Sequence, residues 1–130
     1  MLELVTTAQA RAHLRLDSDS NGGADDDWLA IFIPAISEAV ALWLKEEWRL
    51  YEWLEDSNGD LLEDSAGDFL PDLANVRWAV KAAVLVELER QYRYRGGDGE
   101  ADVPSEQGHG YTLGKGATAL LSPLRKTTVA

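Results

Sequence analysis

Pro71-Asp-Leu-Ala-Asn-Val-Arg-Trp-Ala-Val-Lys-Ala-Ala-Val-Leu-Val-Glu-Leu-Glu-Arg-Gln-Tyr-Arg-Tyr94 is the stretch on which the fold turns. Val76, Val80, Val84 and Leu88 recur at four-residue intervals, with Leu73 and Ala83 beside them, and so line one face of a helix. Trp78, Leu85 and Tyr92 lie seven apart and mark a second face. Proline is tolerated in a first turn, and Asp72 suits the positive end of the helix dipole. The pattern therefore predicts a helix from Pro71 or Asp72 to Tyr94. A surface helix needs one apolar stripe, whereas this one has two. Either it is the central helix of a small bundle, or its second side meets another subunit. Arg90, Arg93 and Arg95 crowd its last turns, where cations are favourable. They are also the densest basic cluster, and could alternatively bind an acidic patch on a neighbour.

Upstream, Leu29, Ile33, Ile36, Val40 and Trp43 form a second stripe, widened by Phe32, Ala39 and Leu44. It predicts a long helix from about Asp26 to Trp48, with Asp25, Asp26 and Asp27 at its positive end. Pro34 has no N–H for the carbonyl four residues earlier, so a bend or a restart is expected there. Thr6 and Gln9 have capping-box spacing and open a short helix. Asp17-Ser-Asp-Ser-Asn-Gly-Gly23 ends it in a loop. Between the long helices lies an acidic insert, about 49–71. In it Tyr51, Trp53 and Leu54 continue a helix or form a strand, Asp56-Ser-Asn-Gly-Asp60 is a turn, and Leu61-Leu62 could close a small hairpin. Downstream, 96–112 reads as a flexible, weakly hydrophobic loop. A short helix then starts near Lys115 or Gly116, carries Ala117, Leu120, Leu121 and Leu124 on its apolar side, and is limited by Pro123. The expected fold is mainly α: one domain over 1–130, a small bundle of two long and two short helices with room for a short β-hairpin in the insert.

The chain has 130 residues, no cysteine and a formal net charge of −11. Disulfides and cysteine-based zinc sites are excluded. The amino terminus lacks a basic region followed by an apolar run, so no export signal is expected. No run of 18 uncharged apolar residues occurs, and no membrane span is expected. The charge is unevenly spread: eight acids and no base fall between Glu52 and Asp72, whereas 113–126 carries bases and no acid. That terminal segment, 113–130, reads as a docking surface, either for the protein's own body or for a neighbouring copy. Wrapping DNA needs clustered Lys and Arg to displace counterions. An acidic wall repels phosphate instead, which suits a conduit through which DNA slides.

Motifs with chemistry are few. Asp17-x-Asp19-x-Asn21-Gly22 matches the start of a calcium loop, with Asp25 at the ninth position. The twelfth position, where a bidentate Glu is needed, is Trp28. A loop capping the next helix is the plainer reading. His13 and His109 are the only histidines and show no metal-ligand spacing. Gly114-Lys115-Gly116 is not a full phosphate loop. No enzyme, metal or cofactor is expected. Of the five tryptophans, Trp28, Trp43, Trp48 and Trp53 cluster around the first long helix and its exit among acids, not bases, which disfavours a single-strand stacking platform. Core is the expectation for Trp43 and interface for Trp78.

Several segments together carry a resemblance. Leu4-Val-Thr-Thr-Ala-Gln-Ala-Arg-Ala-His-Leu-Arg-Leu-Asp17, the acidic helix start Asp25-Asp-Asp-Trp-Leu29, the helix near Asp72–Arg95 with its Tyr/Arg-rich end, and Ala119-Leu-Leu-Ser-Pro-Leu-Arg125 are similar, in this order, to head–tail connector (head-completion adaptor) proteins of tailed bacteriophages and prophages. The insert from Trp48 to Phe69 is longer than that family's pattern. The resemblance implies a helical, non-catalytic subunit that joins copies of itself into a ring in the virion neck, assembled in the host cytoplasm. Its partners would be the portal protein and the next neck or tail-completion protein. Double-stranded DNA would pass without sequence-specific binding. Interface residues expected on this reading are Trp78, Leu85, Tyr92, Arg90, Arg93 and Arg95, with Leu120, Leu121, Leu124 and Arg125 in the terminal segment. Two other readings are an acidic protein-binding or regulatory module that grips a basic partner, and a calcium-responsive domain.

Overall fold

The computed structural model describes residues 2–16, 24–94 and 113–125. Asp17, Asp19, Asn21, Arg95, His109, the expected 96–112 loop and the last five residues lie outside them. The first helix, α1 (Thr7–Leu14), begins as its capping box requires: Gln9 N–H donates to Thr6 Oγ1 at 3.0 Å, and Thr6 N–H to Gln9 Oε1 at 2.9 Å. It stops at Arg15, whose φ of 59° places it in the left-handed region. The preceding Leu4 and Val5 are buried, and Leu4 N–H donates to the buried Ser37 Oγ at 3.0 Å.

The second helix, α2 (Ala24–Leu44), runs through Pro34 without restarting. The carbonyl left without its helical donor belongs to Ala30, an exposed residue that water can serve. Leu29, Ile33, Ile36, Val40 and Leu44 are fully buried along one face. Each contributes on the order of 2 kcal/mol of hydrophobic stabilisation. Leu44, not Trp43, takes the last core position; Trp43 is half-buried at its edge. The expected end at Trp48 is four residues too far. Lys45 adopts φ 73°, its N–H bonds the Ala41 carbonyl at 3.0 Å, and the chain turns into a 3₁₀ segment, Glu47–Leu50. By length and composition Asp25–Leu44 is apolar enough to cross a membrane, although Asp25, Asp26, Asp27 and Glu38 leave it without a run of 18 uncharged apolar residues. A third of that window is buried within the protein, and a core helix meets the same criterion.

Residues 51–76 form three β-pairings around a common centre. The stem pairs β1 (Tyr51–Trp53) antiparallel with β2 (Pro71–Val76), matching Trp53 to Pro71, Glu52 to Asp72 and Tyr51 to Val76. Leu73, Ala74 and Asn75 bulge out, held where Asp72 accepts from Ala74 N–H at 3.1 Å and Asn75 Nδ2 at 2.7 Å. Two short arms follow, with bridges Glu55–Leu61 and Glu63–Phe69. Three leucines close the junction in a ring: Leu54 N–H donates to Leu70 O (2.8 Å), Leu70 N–H to Leu62 O (3.1 Å), and Leu62 N–H to Leu54 O (3.0 Å). The arms are two copies of one octapeptide, Leu54–Leu61 and Leu62–Phe69, differing only at Asn58/Ala66 and Leu61/Phe69. In each tip an aspartate takes two backbone N–H groups, Asp56 those of Asn58 and Asp60, Asp64 those of Ala66 and Asp68. Each turn needs a left-handed residue and has it in Gly59 or Gly67, both at φ 85°. The insert thus contains more than a single hairpin.

The third helix, α3 (Trp78–Tyr94), starts seven residues later than Pro71. Pro71 and Asp72 belong to β2, and Arg77 N–H donates to Leu50 O at 2.9 Å before the helix opens. Strand pairing with β1 outcompetes helix formation over 71–76. The helix is the centre of the bundle, touching α1, α2 and α4 (Lys115–Leu121). Val80, Ala83, Val84 and Leu88 join the α2 stripe, Leu4, Val5, Ala10, Leu50, Tyr51, Leu113, Ala117 and Leu121 in one core. A short 3₁₀ turn, Ser122–Leu124, ends the described chain.

Candidate functional site

The terminal segment docks on its own chain. Glu87, with a side chain 1 % exposed, accepts from Gly114 N–H at 2.9 Å, from Arg90 Nη2 at 2.8 Å and from Gln91 Nε2 at 3.3 Å. Arg49, itself buried, donates to the Leu124 carbonyl at 3.3 Å, and the Arg125 guanidinium sits 4.4 Å from the Trp43 ring. Glycine is needed on this contact. A Cβ on Gly114 would stand 2.7 Å from Arg90 Nε, and one on Gly116 would stand 2.9 Å from Val86 Cγ1. The terminal segment is thus held on its own chain by the Gly114 backbone at Glu87, the Leu124 carbonyl at Arg49 and the Arg125 guanidinium at Trp43. Leu121 is fully buried, Leu124 half-buried, and only Leu120 among the three presents an exposed side chain.

The Trp78, Leu85, Tyr92 row meets three different surroundings. Tyr92 is half-buried: its hydroxyl donates to the buried Asp25 at 3.0 Å, and its ring meets Trp28 edge-on at 5.3 Å, which in turn stacks on Phe32 at 4.4 Å. Asp25, weighed above as a calcium ligand, is thus engaged with α3. Leu85 packs against the core from its margin. Trp78 is 76 % exposed, its ring faced only by the Lys81 ammonium at 4.7 Å among the described aromatic and cation contacts. Of the arginines, Arg90 belongs to the Glu87 cluster, while Arg93 is exposed and 3.9 Å from Glu89. Helical spacing places the row on one face. It does not tell which neighbours cover that face: α2 meets Tyr92, the core margin takes Leu85, and the Trp78 end stays bare.

Among the described residues two exposed apolar surfaces stand out. One is the outer face of α2, where Ile31 (66 % exposed) and Leu42 (71 %) flank Ala35, with Glu38 the one charge among 30–42. The other is the β projection. Every residue from 55 to 69 is exposed. Trp48 stacks on Trp53 at 5.3 Å, Trp53 lies 5.6 Å from Phe69, and Leu61, Leu62 and Leu73 are also uncovered. Glu52, Glu55, Asp56 and Asp72 join Trp53, Trp78 and Leu61 around a groove of about 530 Å³. The octapeptide self-similarity was the available signal for this projection. Reading Asp56–Asp60 as an isolated turn misses it, because the second turn, Asp64–Asp68, only gains meaning as a repeat.

Catalytic or metal-binding geometry is sparse. Among the described residues, no three His, Asp or Glu side chains converge to hold a metal ion. His13 does meet a carboxylate that sequence proximity did not reveal, Glu89 of α3, at 3.5 Å. Around this pair Ala12, Leu14, Arg15, Tyr92 and Arg93 leave an open groove with no hydroxyl or thiol nucleophile beyond the Tyr92 phenol, which is engaged with Asp25. The Asp26 carboxylate, hydrogen-bonded to Arg11 Nε at 2.8 Å, raises the Arg11 pKa and ties α1 to the first turn of α2. No protein-family model, no curated protein and no solved structure matches the chain.

Proposed function

We propose that this protein is a structural connector subunit that assembles side by side into a ring between a phage portal vertex and the tail-proximal neck. The observation that carries the reading is that, among the described residues, two unlike apolar surfaces stay exposed outside the one hydrophobic core. A closed ring needs a heterologous contact, in which one patch meets a different one on the next copy. The outer face of α2 and the aromatic face of the β projection are such a pair: one nearly uncharged, the other apolar within an acidic frame. The order of motifs from Leu4 to Arg125 supports the same assignment. Self-repulsion at a net charge of −11 favours a monomer until a portal templates the ring. An acidic projection also gives passing DNA nothing to adhere to.

The test is whether a portal gene lies in the same genome and, with that portal protein in hand, the mass of the protein alone and in its presence. A ring on the portal is expected, lost in Ile31→Asp/Leu42→Asp while the helical circular dichroism stays unchanged. Deleting 113–130 is a poor probe, since that segment completes the core. Leu120→Asp is the better probe of its outer side. Rings that form equally well in the α2 variant would remove the basis of the proposal, and so would a portal that never recruits the native chain.

A further inference from the structure

We infer that the groove between the β stem, the first arm and the start of α3 is a docking site for an arginine- or lysine-bearing segment of another protein. The groove is lined by aromatic, aliphatic and acidic side chains together. Trp53 and Trp78 supply two indoles, and Glu52, Glu55, Asp56 and Asp72 surround them. An indole face backed by carboxylates is what a guanidinium or ammonium needs: the ring quadrupole attracts the cation, and the carboxylates accept its N–H groups. The protein already uses these rings in that way. Lys81 holds its ammonium 4.7 Å from the centre of Trp78, and Arg77 holds its guanidinium 5.9 Å from that of Trp53. Lys81 lines the groove and stands where a partner's cation would sit, on a flexible stem that can swing away.

The groove's occupant is a different protein: the face a second copy brings to the projection in the ring, α2 from 30 to 42, carries no base, and it is met by the Trp48 and Phe69 side outside the groove. Each copy has a net charge of −11, and the span from Glu52 to Asp72 holds eight acids without a base. Two such surfaces repel, whereas a basic segment is drawn in and desolvates Trp78. Nucleic acid is disfavoured by the same sign of charge. Building the projection for packing is no alternative explanation, since nothing from 55 to 69 is buried. The inference deepens the connector reading by stating what the adjoining neck component presents. It rests on that reading only for where the partner is met, because peptide binding is measured on the single subunit.

The experiment is calorimetric titration of the intact protein with a capped glycine-spaced diarginine peptide, against the same peptide with citrulline in place of arginine. The arginine peptide should bind and the neutral isostere should not. Trp78→Ala and the pair Glu55→Gln/Asp56→Asn should each weaken binding roughly tenfold. Asn at 56 can still accept the turn's backbone N–H groups, so the arm keeps its shape. The charge-matched pair Glu63→Gln/Asp64→Asn, on the arm outside the groove, should stay within about twofold. Lys81→Met removes the internal competitor and should tighten binding by about threefold. Absence of binding, equal binding of the citrulline peptide, or equal losses in both charge-matched pairs would each overturn the inference. So would a calcium ion or a DNA duplex that binds the groove in place of the peptide.

Discussion

Glu87 lies on the central helix with its carboxylate surrounded by donors from Arg90, Gln91 and the Gly114 backbone. Burying a charge is tolerable only when its partners are complete, and removing one side leaves the other exposed to the low-dielectric interior. Glu87→Ala should therefore cost about 3 kcal/mol in chemical denaturation, with the amides of 113–125 losing hydrogen-exchange protection first. At Gly116 the constraint is steric. A Cβ there meets the stiff, β-branched Val86, and Gly116→Ala should cost about 1–3 kcal/mol, largely recovered in the double variant with Val86→Ala. Tyr51, 6 % exposed, has its phenol pKa pushed above the ordinary 10.0, first by burial and then by the charge of Glu47. Above pH 10 the unfolded chain gives up this proton before the folded one does. The stabilisation is thus present below pH 10 and is lost as pH rises through the folded-state value. Denaturation free energies measured from about pH 9 to 12 should fall less steeply for Tyr51→Phe than for the native chain.

Among the elements, the β projection stands apart because its order comes from local hydrogen bonds and not from burial. Leu54, Leu62 and Leu70 bond each other's backbones, and each tip is closed by one aspartate and one glycine. Since Leu54 N–H already donates to Leu70 O, the stem is closed without the arms. Replacing 55–69 by Asn-Gly should leave the helical circular dichroism intact and shift Tm by only a few degrees, about what 1 kcal/mol does in a domain of this size. Ring formation and peptide binding should both be lost. A collapse of the helical signal would instead assign the arms a role in the core. Helix α2 behaves differently: the same residues that fill the core on one side leave Ile31 and Leu42 bare on the other. A solvent-facing helix surface with one charge from 30 to 42 is costly to keep in water, and an interface relieves that cost.

For the whole molecule, net charge and apolar surface act in opposite directions on assembly. Subunits at −11 repel at long range, and salt screens that repulsion while leaving apolar contacts intact. The apparent mass of the purified protein should therefore rise with ionic strength between about 0.05 and 0.5 M, the range over which the screening length falls severalfold. The peptide complex should weaken over the same range. Opposite salt responses of self-association and peptide binding would separate the two surfaces in one set of measurements; parallel responses would merge them.

The sequence by itself determined the helical class, the α1 cap at Thr6 and Gln9, the buried stripes of α2 and α3, and the concentration of acid between Glu52 and Asp72. These follow from local rules: side-chain spacing along a helix, capping chemistry and composition. Tertiary structure alone decided that 71–76 is strand, because a partner, β1, was available to satisfy its backbone. It also decided that the basic tail folds onto its own Glu87 and Arg49, and that of three residues spaced for one helical face only Trp78 stays bare. Periodicity specifies which direction a side chain takes from its own axis. What it meets there depends on chain segments far away in sequence, and those positions are fixed only when the whole core closes.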